Sequence, residues 1–191
     1  MSYINTPPCI QNIFKNYFAS KQIEISIHQI ICREDDMGEE PYKLLSPKTR
    51  DYDTPIFDDS YLCIDLDSLE CARRERRKGK KQNNPSMDIA FFIEDNENIF
   101  TVLAEFRLNY KIVSNIKKDE LDGKVTYSTH CSRHFFKLPI YQKQYFVFPH
   151  ETCSQFRHRL GRMNPKCSPN YIAIDVSTLY SEFFDKQPKK F

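Results

Sequence analysis

Apolar residues recur with a helical period near the start of the chain: Ile10, Ile13, Phe14, Tyr17 and Phe18 fall on one face of residues 10–20, which predicts a short helix. Ile23, Ile25 and Ile27 then alternate with polar residues, the period of a strand. The acidic, proline-punctuated stretch 34–60 keeps no period, so loops and a short strand are expected there. A brief strand over 61–66 leads into Asp67-x-x-Glu70, which has the form of a capping box, and the charged run CARRERRKG carries that helix to Gly79. Residues 87–93 and 100–107 are β-rich and flank a polar turn at 94–98, the pattern of a hairpin. A charged helix is predicted over 111–122, and buried strands over 145–148 and 171–176. Between those strands Thr152-x-x-Gln155 offers a second capping box, with Cys153, Phe156, Leu160 and Met163 as an apolar stripe and Arg157, His158, Arg159 and Arg162 on the remaining faces. The order from Asp67 onward is helix, strand, strand, helix, strand, helix, strand. The fold class this predicts is α/β (α+β), a single mixed β-sheet flanked by helices, with residues 1–60 as an extension packed on a core of 61–191.

The hairpin has a register that matters for chemistry, because register decides which side chains share a face. A four-residue loop at 95–98 sets Glu94 opposite Ile99, and Asp88 then lies opposite Glu105. One face carries Met87/Phe106, Ile89/Ala104, Phe91/Val102 and Ile93/Phe100, an apolar set suited to packing on a helix. The other carries Asp88/Glu105, Ala90/Leu103 and Phe92/Thr101, with Arg107 one period-2 step from Glu105. Carboxylates a cross-strand distance apart repel unless a cation or proton lies between them, and they present the oxygen ligands that Mg²⁺ or Mn²⁺ takes.

At this point the pattern resembles the PD-(D/E)xK superfamily, the restriction-endonuclease-like fold, with Ser86-Met87-Asp88 standing for its first motif and Glu105-Phe106-Arg107 for its second. The resemblance covers roughly 67–176. It implies a restriction-endonuclease-like core in which Asp88 and Glu105 hold one or two divalent ions, with Glu70 or Glu75 of the preceding helix as an added carboxylate. It further implies that the metal activates a water and stabilises the phosphate while a lysine orients the water or balances charge. This sequence departs from the pattern at two places: Met87 stands where proline is usual, and Arg107 occupies the lysine position. Arginine presents a fixed planar fork and does not deprotonate, so Arg107 suits phosphate charge but not proton transfer. Lys111 is the nearest substitute along the chain.

Composition narrows the alternatives. The chain has 191 residues, with 15 Phe and 11 Tyr but only 4 Gly, which excludes glycine-rich phosphate loops; neither a nucleotide nor a flavin cofactor is expected. No apolar run approaches a membrane span, the first residues lack the pattern of a signal peptide, and a cytoplasmic location is expected. The 7 cysteines are scattered and never form C-x-x-C, so they read as reduced thiols and no closed zinc site is expected. His130-Cys131-x-x-His134, with Cys153, His158 and Cys167, lacks the tight spacing of a structural zinc site, and a Cys–His nucleophile there would lack a signalled oxyanion hole. Phe135, Phe136, Tyr141, Tyr145, Phe146 and Phe148 are better explained as core than as base-stacking rings.

Charge is uneven. Residues 1–60 carry six Lys/Arg against ten Asp/Glu, and the rest carry 22 against 16. Arg73, Arg74, Arg76, Arg77, Lys78, Lys80 and Lys81 crowd into nine positions just before the hairpin. In a nuclease such a run tracks the phosphate backbone of a nucleic acid; on an inert scaffold it is a solvated helix end. Two functions follow: a divalent-metal-dependent nuclease-like protein that cleaves or only binds nucleic acid, and a non-catalytic protein-interaction module, toxin-neutralising or regulatory, on the same scaffold. In the second, Asp88, Glu105, Arg107 and Arg73 form a salt-bridge network.

Overall fold

Strands β4 (Ile89–Asp95) and β5 (Asn98–Phe106) pair antiparallel from Ile89↔Ala104 to Asp95↔Asn98, the register expected from the sequence. The turn is two residues rather than four: Asn96 and Glu97 take φ of 47° and 66°, the left-handed pair that matches the twist of a tight hairpin, so Asp95 and Asn98 still pair. A computed structural model describes residues 1–17, 22–34, 56–76, 84–110 and 112–185. Around the hairpin lie β1 (Ser2–Ile4), α1 (Pro8–Tyr17), β2 (Glu24–Ser26), α2 (Ile27–Glu34), β3 (Leu62–Asp65) and α3 (Leu66–Arg76) on the N-terminal side. On the C-terminal side are a 3₁₀ turn at Val113–Asn115, α4 (Lys118–Phe136), β6 (Ile140–Phe148), α5 (His150–Arg162), β7 (Tyr171–Asp175) and α6 (Val176–Phe183).

The seven strands form one mixed sheet in the order β2-β3-β4-β5-β6-β7, and β1 pairs with β4 beyond the end of β3. Pairing is antiparallel from β2 to β5 and parallel from β5 to β7, with α4 and α5 as the crossover helices. This is the α/β sheet flanked by helices that the pattern predicts. Ile89, Phe91, Ile93, Val102 and Ala104 pack with α2 and α6 on one face; Ala90, Phe92 and Leu103 pack with α1, α3, α4 and α5 on the other. Met87 departs from the expected face: Asp88 lies in a bend ahead of β4, the alternation breaks there, and Met87 joins the α4 side, where its N–H is bonded by Ser128 Oγ at 2.8 Å. Among the described residues no helix is long and apolar enough to cross a membrane.

Several boundaries differ from the expectation, each for a local reason. Residue Ile27, read as the end of a strand, opens α2, because Ser26 and Gln29 exchange backbone-to-side-chain bonds as a capping box. The cap of α3 is Asp65, whose carboxylate accepts from Ser68 N at 3.0 Å and Ser68 Oγ at 2.7 Å; Asp67 instead accepts from the Ser86 hydroxyl. Helix α5 begins at His150 behind Pro149 with no side-chain cap, and Thr152 turns its hydroxyl to the Pro149 carbonyl. Helix α4 starts at Lys118 and runs to Phe136, well past the 111–122 expected, ending at Lys137 with φ 56°. Helix α6 was not signalled by period and is capped by Asp175. Most of the 34–60 stretch lies outside the described residues.

Candidate active site

Asp88 at the bend before β4 and Glu105 near the end of β5 are both buried, 4% and 1% exposed. Asp88 Oδ2 accepts from the Phe106 N–H at 2.5 Å, so the backbone of the opposite strand orients it. Glu105 Oε1 meets the Lys124 ammonium at 2.6 Å and Arg107 Nε at 2.7 Å, the latter an ion pair not aligned as a hydrogen bond. Its second oxygen, Oε2, is buried with no partner. Burial pushes the Asp88 carboxyl well above the usual range, and the Glu105 charge adds to this; Glu105 is raised by burial against the pull of Lys124 and Arg107.

Arg107 is fully engaged. Its Nη1 donates to the Tyr110 hydroxyl and its Nη2 to Glu120, and the guanidinium sits 4.7 Å from the Tyr110 ring centroid. It is a counter-ion to Glu105, with both Nη atoms taken up by Tyr110 and Glu120. The lysine at the acid pair comes from elsewhere: Lys124, on α4, where the parallel crossover lays that helix over β5 and β6. Burial works against its charge, but the Glu105 and Asp88 carboxylates outweigh that and hold it protonated. Lys124 was missed because the predicted helix stopped at 122. Its signal was a lysine on the stripe that carries Leu121, Ser128 and Cys131, all buried. Lys111 lies outside the described residues.

Glu70, also buried, stands in a separate cluster. Arg73 Nε and Nη2 donate to it at 2.6 and 2.9 Å, Asn84 Nδ2 at 3.0 Å, and the Tyr127 hydroxyl completes the set. Burial alone would raise its pKa, but these donors together hold it below the usual carboxylate value. Glu75 is exposed and contacts Cys71. Among the described residues no three His, Cys, Asp or Glu side chains converge as metal ligands, so the added carboxylate of α3 does not join Asp88 and Glu105. Cys131 is buried near Glu70, which with burial pushes its thiol up to about 12, far from a thiolate nucleophile at neutral pH.

A cleft of about 470 Å³ opens beside the acid pair, lined by Asp67, Glu70 and Arg74 of α3, residues 84–86, and Lys124. Of the basic run, Arg73 is held by Glu70 and lies over the Tyr127 ring, Arg74 borders the cleft, and Arg76 is exposed. Arg77, Lys78, Lys80 and Lys81 lie outside the described residues. On α5, Arg157 and Arg159 donate to the Ala173 and Ile116 carbonyls and do not line this cleft. Asp88 and Glu105 are the two oxygen donors that could hold a hard divalent cation, and one Glu105 oxygen lacks a hydrogen-bond partner, but neither acid lines the cleft, which reaches them only through Lys124. Compared with models of protein families, with curated proteins and with solved structures, the chain matches none.

Proposed function

We propose that this chain is a divalent-metal-dependent phosphodiesterase acting on nucleic acid, a degenerate relative of the PD-(D/E)xK superfamily whose lysine is supplied by a helix. The observation that carries the reading is the Lys124 ammonium 2.6 Å from Glu105, within the electrostatic reach of Asp88 and on the lining of the cleft. Asp88 and Glu105 would hold Mg²⁺ or Mn²⁺, which when bound lowers the pKa of a water and polarises a phosphate. The chain's own residues then have separate tasks. Phe106 N–H fixes the Asp88 carboxylate, Arg107 braces Glu105, and Ser128 ties the backbone just ahead of Asp88 to the helix that carries Lys124. Lys124 stays protonated beside Glu105, so its part is to balance charge on the phosphate rather than to take a proton.

One observation favours a second reading, a binder without cleavage that pairs with nucleic acid or with a protein partner. Glu105 already faces two cations, so the acid pair is largely balanced with no metal bound. Calorimetric titration of Mg²⁺ and Mn²⁺ into wild type, Asp88→Ala and Lys124→Met, with plasmid, single-strand and RNA cleavage on the same samples, separates the two. The phosphodiesterase reading expects metal binding that Asp88→Ala abolishes, and cleavage that Lys124→Met reduces by about a hundredfold or more while metal binding persists. No metal binding and no cleavage in wild type sinks it and leaves the binder.

A further inference from the structure

Among the described residues, the cleft beside Lys124 has at its border a cation without an ionic partner. Arg74 borders it, its Nε is buried with no hydrogen-bond partner, and no described carboxylate lies within ion-pair distance of it. The two acids of the same wall are already occupied: Glu70 accepts from Arg73, Asn84 and Tyr127, and Asp67 from the Ser86 hydroxyl. Arg74 is therefore the lining cation without a described ionic partner, Asp67 keeps its negative charge on the same wall, and the second cation at the rim is Lys124, the residue that touches Glu105.

We infer that this cleft seats one nucleotide of a single-stranded nucleic acid, its phosphate bound by the Arg74 guanidinium with the Lys124 ammonium beside it; this deepens, and rests on, the phosphodiesterase reading. The volume of about 470 Å³ is that of a small-molecule pocket and admits one nucleotide unit. A duplex cannot lower a nucleotide into such a recess without unpairing it, whereas a single strand can. Among the described residues the lining contains no aromatic ring, so the phosphate is recognised and the base is not.

The test is titration of a nucleoside 5′-monophosphate, the plain nucleoside and inorganic phosphate into the full chain in EDTA, followed by calorimetry or NMR. The monophosphate and phosphate bind and the nucleoside does not. Arg74→Ala weakens the monophosphate about tenfold or more, and Arg74→Lys recovers part of that loss, since lysine restores charge without the fork. A wild type that binds no monophosphate, or an Arg74→Ala variant that binds it as wild type does, overturns the inference. In a second arm, a short labelled single strand binds more tightly in EDTA than the same sequence folded into a hairpin duplex; equal or tighter duplex binding overturns the single-strand assignment. Cleavage with Mg²⁺ on the same preparations keeps the two readings apart. Arg74-dependent binding without cleavage sinks the phosphodiesterase alone, and cleavage without Arg74-dependent binding sinks the pocket alone.

Discussion

Asp88 and Glu105 are a burden on the metal-free fold. Both are buried acids held side by side, and the proton each binds is held more tightly in the folded chain than in the unfolded one. The sign follows. In acid below the ordinary carboxylate value both states are protonated and nothing is lost; as pH rises from there towards the raised folded value, the unfolded chain releases its protons first and the fold loses stability. Replacing Asp88 with Asn removes one buried charge and keeps an acceptor for the Phe106 N–H. The expected outcome in EDTA at neutral pH is a gain of about 1–3 kcal/mol, since a buried ion costs several kcal/mol and Lys124 returns only part of it. For a chain of this size that is about 2–4 °C in Tm per kcal/mol. The gain disappears near pH 4, and a variant less stable than wild type across the whole range would show that Asp88 is a structural ion-pair member. Lys124 and Arg107 divide at this scale too. Arg107, two residues after Glu105, pairs with it from the same strand end, while Lys124 reaches Glu105 from another element.

Helix termini account for most of what the chain pattern misplaced at the level of elements. Asp65 and Asp67 are both acids three residues before a polar side chain, and only the path of β3 into the sheet makes Asp65 the cap and sends Asp67 across to Ser86. Asp175 illustrates how much one such residue carries. It ends β7, caps α6 through Thr178 N at 2.7 Å, and accepts from Ser177 Oγ at 2.9 Å and pairs with His150 at 2.6 Å. Burial would raise its pKa, but those partners hold it below the usual value. Here the sign is opposite to that of Asp88: the stability is present above the ordinary carboxylate value and is lost as pH falls through the lowered folded one. Asp175→Ala is expected to cost about 1 kcal/mol or somewhat more at neutral pH, and thermal melts of variant and wild type should converge only in strong acid. A gap that persists unchanged in strong acid would assign the effect to packing rather than to the carboxylate charge.

For the whole molecule, the first residues are part of the sheet. Tyr3 and Ile4 are fully buried, β1 covers the edge of β4 beyond β3, and the Tyr3 hydroxyl both donates to and accepts from the Leu62 backbone. Strand β2 likewise closes the sheet on β3. A chain of residues 61–191 is therefore expected not to fold alone, since it leaves β3 and β4 with unpaired edges and opens the Tyr3, Phe57, Tyr61 and Phe184 cluster. Circular dichroism and a denaturant titration of that fragment decide it, and a cooperative transition would show that residues 1–60 are dispensable. Tyr3→Ala in the full chain is the milder form, with an expected loss of about 3–5 kcal/mol.

The alternation of residues 89–106 carried the hairpin and its register, because side-chain direction along a strand repeats every two residues and depends on nothing distant, while at Met87 and Asp88 a bend ends that alternation. Helical stripes likewise marked α1 and α5, and the order of elements implied a mixed sheet. Tertiary structure decided the rest: which acid capped which helix, that Glu70 would be captured by Arg73 and Tyr127, and that Lys124 would both border the cleft and meet Glu105. Those outcomes depend on helices crossing strands far away in the chain, 57 residues apart for Glu70 and Tyr127 and 19 for Glu105 and Lys124. A local period holds no information about such distances.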